Sequence, residues 1–581
     1  MRSLKSTLPG LILLLAALLS SCAPQATGGQ PAAAPAAQSS DQSDTLRLLW
    51  WQAPTILNPH LASGGKDTDA SRAVYEPLAS FDADGKLVPF LAAEIPSREN
   101  GQVAADGKSV TWKLKPNVKW SDGEPFTAAD VKFTYDYIIN KETGATSVSA
   151  YKAVTSVEVV DPTTIKITFK DPNPAWALPF VGGGNGDILP EHIFKDFVGT
   201  KSREAPANLK PVGTGPYQVA EFKPGDIIIY EANPNFRETG KPFFKRVELK
   251  GGGDATSAAR AVLQTGEADF AWNLQVEARV LEQLQNGGKG VILLDPGGSQ
   301  EQIYLNQTDP NKEVDGEKSS LKAPHPFLTD LKVRQAFALA IDRKTIAEQL
   351  YGPAGKVSTN LVVAPPNFVS PNTTYEFNLD KAKALLDEAG WKDSDGDGIR
   401  DKGGVKLQIL LQTSVNPVRQ KTQEIIKQAL ESIGFKVDLK SIDSTVFFSA
   451  SPTNLDNINH FYADVEFYTQ GSSSPDPGAY LGTWTTDQIA QKANNWSGNN
   501  VARWSNPAYD KLYAQAQLEL EPAKRQQLII QLNDLVINDY VLIPLVHRTF
   551  PTGASKTLDG IVLTPWDSNL WLVKDWVRKS P

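Results

Sequence analysis

The chain has 581 residues, with 58 Lys and Arg against 66 Asp and Glu, giving a formal net charge of −8. No basic cluster offsets this acidity, which argues against a nucleic-acid partner. A single cysteine, Cys22, excludes a disulfide within the monomer, and no apolar run beyond the N-terminal stretch approaches the roughly 20 residues of a membrane-spanning helix.

The N-terminus is basic at Arg2 and Lys5 and apolar from Leu11 to Leu19, which reads as a secretory signal over residues 1–21. Removing those two cations makes the net charge −10. The stretch ends Leu19-Ser20-Ser21-Cys22, which resembles a bacterial lipobox. That resemblance implies a thioether-linked lipid on Cys22 and a protein tethered to the membrane rather than spanning it. The alternative is an ordinary signal peptide with a chance cysteine. The rest of 22–44 is almost wholly Ala, Pro, Gln, Ser, Gly and Thr, a spacer composition that cannot bury a core.

Folded sequence begins with an apolar strand at Leu46–Trp51. Alternation over Ser109–Trp120 predicts another strand, with Val110, Trp112 and Leu114 on one face. Ser121-Asp122-Gly123 then turns the chain, and Thr127 with Asp130 has the spacing of a capping box. Val131, Thr134, Tyr135 and Ile138 follow at helical spacing. Strands return at Asp226–Tyr230 and Arg246–Leu249. Asp254 caps a helix ending at Gly266, and Ala268–Trp272 and Gln302–Asn306 are strands. Val405–Leu411, the helix Val418–Ile433 and Phe435–Leu439 predict a strand, helix, strand unit with a right-handed parallel crossover. Helices at Ala508–Leu518 and Glu521–Asn538 precede a last strand at Val541–Leu545. The fold class is α/β, with mixed sheets and flanking helices.

Five stretches in order carry a family resemblance. They are Val118–Ile138; Gly213-Thr214-Gly215-Pro216-Tyr217 with Asn233-Pro234-Asn235-Phe236; and Val333-Arg334-Gln335-Ala336 through Ala340-Ile341-Asp342-Arg343. The other two are Ala382–Leu386 with Ala389-Gly390-Trp391, and Asn506-Pro507 with Tyr509-Asp510. Together they resemble the family 5 extracellular solute-binding proteins, the peptide-binding components of ABC importers. The resemblance implies a two-lobed periplasmic-binding-protein fold of the type II kind, with an extra inserted domain and a ligand cleft between the lobes. On this sequence it suggests lobe I at 45–63, 206–300 and 546–581, the inserted domain at 64–205 and lobe II at 301–545. It also implies permease and ATPase subunits as partners, a monomeric binding protein, and an extracytoplasmic or periplasmic location.

No G-x-S-x-G elbow, H-E-x-x-H motif or Walker A loop occurs, and the five histidines are scattered, so no catalytic residues are assigned. The loop from Asp393 carries Asp395, Asp397 and Asp401 at positions 3, 5 and 9 of an EF-hand-like register, with Gly398 as position 6, and the Ile399 carbonyl available at position 7. Gly404 stands where a bidentate Glu belongs, so the reading is open between a structural calcium site and a polar turn. No other cofactor is expected.

In peptide-binding relatives an aspartate pairs with the ligand's amine three residues before the Asp of a later Asp-Pro pair. Here that pair is Asp476-Pro477, and the position holds Ser473. Trp50, Trp51, Trp272, Tyr304, Tyr468 and Trp484 are aromatic candidates for the cleft, and Asn273, Asn306 and Gln470 are neutral hydrogen-bonding candidates. For each aromatic residue, core packing is the competing role. The function expected is capture of a peptide-like or other small solute for an ABC permease. An oligosaccharide solute is the alternative within that role, and an exported glycosidase-like enzyme is the alternative of another class.

Overall fold

The computed structural model describes residues 44–62, 64–295, 297–448, 453–496 and 498–579. Cys22, its signal and the spacer lie outside the described residues. Two mixed sheets organise the chain. The first runs in the order Gly290–Asp295, Phe550–Ser555, Phe270–Ala271, Thr45–Trp50, Arg246–Gly251, Ile227–Ala232, Tyr217–Lys223. The second runs Gly355–Val357, Leu542–Arg548, Ser299–Leu305, Val465–Gly471, Gln408–Ser414, Lys436–Ile442. The chain passes between the two sheets twice, from Asp295 to Ser299 and through Thr549. The lobes therefore share two short crossings, set side by side because both strands that leave the second sheet pair with each other.

Gln408–Ser414 and Lys436–Ile442 pair in parallel across the helix Pro417–Glu431, as the strand, helix, strand pattern predicts. That helix begins one residue earlier than its apolar periodicity indicates. Asn416 caps it, accepting from the N–H groups of Val418 and Arg419, and Pro417 fills the first turn, where a missing N–H costs nothing. Gly434 ends the unit at φ 97°, and a Cβ there would lie 2.6 Å from Arg400 Cγ, so only glycine fits. The expected strand at Val405–Leu411 is broken. Val405–Lys406 pairs with Asp401–Lys402 in a small hairpin, and only Gln408 onward joins the main sheet.

A third, three-stranded sheet (Ser109–Lys113, Thr164–Phe169, Val154–Asp161) packs on the helix Ala128–Ile139. The capping box is present: Thr127 Oγ1 accepts from Ala129 N–H at 3.2 Å, and Thr127 N–H donates to Asp130 Oδ2 at 2.9 Å. The strand stops at Lys113 rather than Trp120, because Pro116 lacks a donor and Asn117 turns the chain at φ 60°. Trp112, Trp120, Tyr135 and Ile138 still meet in one core. Residues 65–74 depart from the inserted-domain boundary expected at 64. Ala70, Ala73 and Val74 pack with Trp50, Tyr217 and Tyr230 against the first sheet, and Tyr230 Oη donates to the Ala70 carbonyl at 2.9 Å. Conversely, Trp566 near the C-terminus packs into the core of the three-stranded unit. That unit touches the second lobe at two turns. A Cβ on Gly85 would lie 3.0 Å from Pro475, and one on Gly107 would lie 2.8 Å from Leu520.

Candidate solute-binding cleft

The cavity between the two sheets has a volume of about 350 Å³, in the lower part of the range of small-molecule sites, roughly 300–1,000 Å³. One wall is the short helix Gly65–Ser71, through Gly65, Thr68 and Asp69, together with the C-terminal segment Pro565–Ser568. The floor is the crossing residues Gly297, Gly298, Ser299 and Phe550, and the facing wall is Ser472 and Ser473 at the end of a second-sheet strand. Much of this surface is glycine and serine. It sets these short residues beside the rings of Phe550 and Trp566.

Two buried carboxylates face this space. Asp567 is held by Arg72, with Nε–Oδ1 3.2 Å and Nη2–Oδ2 3.3 Å, and accepts from Ser80 Oγ at 2.6 Å and its neighbour's Ser568 N–H at 2.7 Å. The Arg72 guanidinium also sits 4.5 Å over the Phe90 ring and donates to the Tyr75 carbonyl, so it is fully engaged. Asp69 is 8 % exposed and accepts the Asn569 N–H at 3.2 Å. Burial pushes its pKa up to about 7. Asn569, Ser568 and the Trp272 indole offset this in part, and the Asp567 charge adds to it. Sequence reading missed Asp69, Arg72 and Asp567. They come together only in the fold, across some 495 residues of chain, and no local motif marks them.

Of the sequence candidates, Ser473 is exposed and lines the cavity. Trp272 lies just behind the wall, 3.7 Å from where a Gly65 Cβ would sit. Trp51 is half-buried and donates its indole N–H to the Asn273 carbonyl at 2.8 Å, holding Asn273 at φ 49°. Of the remaining candidates, Trp50, Tyr304, Tyr468, Trp484 and Asn306 are corrected by the structure, while Gln470 stays half-buried. Trp50 is fully buried, stacked on Trp272 with centroids 6.1 Å apart and planes 5° apart. Asn306 is fully buried, donating to the Phe461 and Ala463 carbonyls and accepting from Thr308, which ties a loop rather than reaching a ligand. Tyr304 is stacked between Tyr468 at 4.6 Å and Trp484 at 5.9 Å, all three at most 3 % exposed, and its hydroxyl donates to Gln470 Oε1. The physical cause is that the Ser299–Leu305 strand is buried on both faces. Ile303 and Leu305 enter one core, and Tyr304 enters the other beneath Ile529, Leu532 and Val536 of the helix Pro522–Asn538. Asp476 shapes a loop, as its place beside Pro477 suggests, accepting from Gly478 N–H and pairing with Arg525.

In the Asp393 loop, carboxylate oxygens of Asp393, Asp395 and Asp397 come within 4.8 Å of one another. Asp401 does not join them, because its carboxylate accepts from the Ser394 N–H and hydroxyl. The Ile399 N–H donates to Asp397, and Lys406 bridges Asp395, at 2.8 Å, and Asp397. The protein thus supplies its own cation to part of the cluster.

Residues 86–492 match the family model described as bacterial extracellular solute-binding proteins, family 5 middle. The chain belongs to that family. It is the solute-binding component of an ABC importer. Relatives of this family 5 protein include the oligopeptide-binding protein AppA of Bacillus subtilis, 29 % identical over 541 residues and covering 90 % of each chain. The glutathione-binding protein GsiB of Shigella boydii is 26 % identical, covering 88 % of this chain and 90 % of its own. Among solved structures, B. subtilis AppA in complex with a nonapeptide superimposes with a TM-score of 0.71 at 26 % identity, covering 92 % and 99 %. NikZ of Campylobacter jejuni in complex with Ni(L-His) gives 0.74 at 24 % identity over 92 % and 100 %, which shows the shared fold. No helix among the described residues is long and apolar enough to cross a membrane.

Proposed function

We propose that this family 5 protein captures a short peptide-like solute in the interlobe cavity and presents it to its permease as the lobes close around it. The observation that carries the reading is the lining. Gly65, Gly183, Gly298, Ser299, Ser472 and Ser473 bring glycine backbone and short hydroxyl side chains to both sides of a cavity of about 350 Å³. Such a surface grips a peptide main chain with little regard for its side chains, because main-chain hydrogen bonds give affinity and side pockets give selectivity. Relatives named for oligopeptides and for glutathione support the same solute class. Closure follows from a solute that touches both walls and so has differential affinity for the closed form.

The reading is of capture without turnover. Asp567 is engaged by Arg72 and Ser80, and among the described residues that line the cavity no other carboxylate stands beside Asp69 to form an acid–base pair. Cys22 carries the lipid anchor in this reading, and the loop at Asp393, Asp395, Asp397 and Ile399 is a weak calcium site in which Lys406 competes with the ion. Native mass spectrometry of the protein purified from its own host tests the solute: a bound mass in the peptide range is expected. A discrete sugar mass would replace the peptide with an oligosaccharide. Cys22→Ser tests the anchor and is expected to move the protein out of the membrane fraction.

A further inference from the structure

We propose that Asp69 is the cation subsite of this cleft, where its carboxylate receives a protonated amine or other organic cation carried by the solute. The inference rests on the capture reading and adds the charge of the solute and the group that reads it.

A carboxylate withdrawn from water needs a compensating charge or a full set of donors. Asp69 is 8 % exposed, its donors are the Asn569 N–H, Ser568 and the Trp272 indole, all neutral and fewer than a carboxylate's roughly four acceptor sites, and it forms no ion pair among the described residues. The charged groups around it do not supply a cation. Asp567 on the C-terminal segment is a like charge, and Arg72, at the end of the same helix, is spent on Asp567 and on the Tyr75 carbonyl. Lys66 on that helix pairs with Asp67 at 2.8 Å. No Lys, Arg or His lines the cavity among the described residues. The carboxylate therefore faces the cavity as its one uncompensated charge, and the rings of Phe550, Trp566 and Trp272 lie at its rim and behind it, surfaces that also attract cations. Among the described lining residues the facing wall offers Ser472 and Ser473 and no carboxylate, so the amine-reading group sits on the lobe opposite the Ser473 position where the family resemblance places it.

Because burial lifts Asp69 to a pKa of about 7, its ionised fraction falls from about nine-tenths at pH 8 to about one-tenth at pH 6. Cation affinity should fall about tenfold between those values. The test is calorimetric titration of the full-length protein at both pH values with tetra-alanine, N-acetyl-tetra-alanine, spermidine and maltose. Expected are binding by spermidine that weakens about tenfold at pH 6, or by tetra-alanine that weakens about fivefold because its own amine is only about half protonated at pH 8, and loss of that binding in Asp69→Asn. Tetra-alanine binding without its acetylated form assigns the cation to a peptide amino terminus, and spermidine binding alone assigns it to a non-peptide amine. Equal affinity of wild type and Asp69→Asn, or a cation affinity independent of pH in the wild type, overturns the subsite. So does failure of both cations while N-acetyl-tetra-alanine or maltose binds, which leaves the capture reading standing. Binding of none of the four counts against both.

Discussion

Glu301→Gln tests how the two crossings are held. Glu301 lies at the start of the crossing strand, its side chain 1 % exposed, between Arg419 of the Pro417–Glu431 helix and Arg548 at the end of the other crossing strand. Arg419 Nε approaches Oε2 at 3.1 Å and its Nη2 approaches Oε1 at 3.2 Å. Arg548 Nη1 reaches Oε1 at 3.2 Å, and Thr469 Oγ1 donates to the same oxygen at 2.5 Å. One carboxylate thus serves two guanidiniums that are each only 10 % exposed. Burial alone would raise its pKa, but the two guanidiniums outweigh burial and hold it below the usual carboxylate range. Glutamine keeps the shape and strands both cations, and breaking a buried pair from one side costs about 3–5 kcal/mol. Urea unfolding followed by tryptophan fluorescence should show a loss of that size above pH 5. Since the folded pKa is depressed, the carboxylate's contribution is present above its unfolded pKa and lost as pH falls through the folded value, so the gap between wild type and variant should narrow in acid. A loss below about 1 kcal/mol at neutral pH would refute the role given to this triad.

Asp187 is fully buried, accepts from Gly184 N–H with one oxygen, and is pushed up to about 7, first by burial and further by Asp567 and Glu76 against the pull of Arg72. Its folded pKa exceeds its unfolded one, so its contribution is full below about pH 4 and is lost as pH rises towards 7. Asp187→Asn should therefore gain on wild type by about 3 kcal/mol between pH 5 and 7.5, measured as the difference in unfolding free energy. That difference cancels the opposite slope of His60, which burial lowers to about 4. A constant difference across that range would contradict the assignment. In the Asp393 loop, calcium at millimolar concentration should raise the unfolding midpoint, and EDTA should reverse the rise. Lys406→Gln should respond at several-fold lower calcium, and an unchanged response would remove Lys406 as a competitor.

Local grammar was readable where a residue's own neighbours decide its conformation. The Thr127–Asp130 capping box, the Gly266 and Gly434 helix ends and the parallel crossover around Pro417–Glu431 all follow from residues within a few positions of one another. Cleft residues were not readable this way. An aromatic residue near a lobe junction has the same sequence signature whether it faces a solute or a core, and Tyr304 shows why. Its strand is buried on both faces, so alternation does not distinguish a cleft side from a core side. Asp69 was hidden for the opposite reason. In Thr68-Asp69-Ala70 it looks like a solvated helix residue, and only the approach of Ser568 and Asn569 from the far end of the chain takes it out of water. Ser473 was named because the family pattern pointed to a position that composition could not, and the structure sets it in the cavity lining.

The division of charge between the lobes carries a mechanistic consequence. Lobe II brings Ser472 and Ser473 to the cavity and spends its buried Glu301 on Arg419 and Arg548, outside the lining of this cavity. Lobe I brings Asp69 and Asp567, and only Asp567 has a cation of its own. A charged solute is therefore drawn first to lobe I, where the unsatisfied electrostatics lie, and lobe II closes over it with neutral hydroxyl and backbone groups. Closing adds hydrogen bonds without desolvating a second charge on the approaching wall, which keeps the closed form reachable for many peptide sequences. The turns at Gly85 and Gly107 lie against Pro475 and Leu520 of the second lobe, residues outside the cavity lining. Selectivity on this arrangement resides in one lobe and closure in the other, joined by two crossings that the Glu301 triad holds in register.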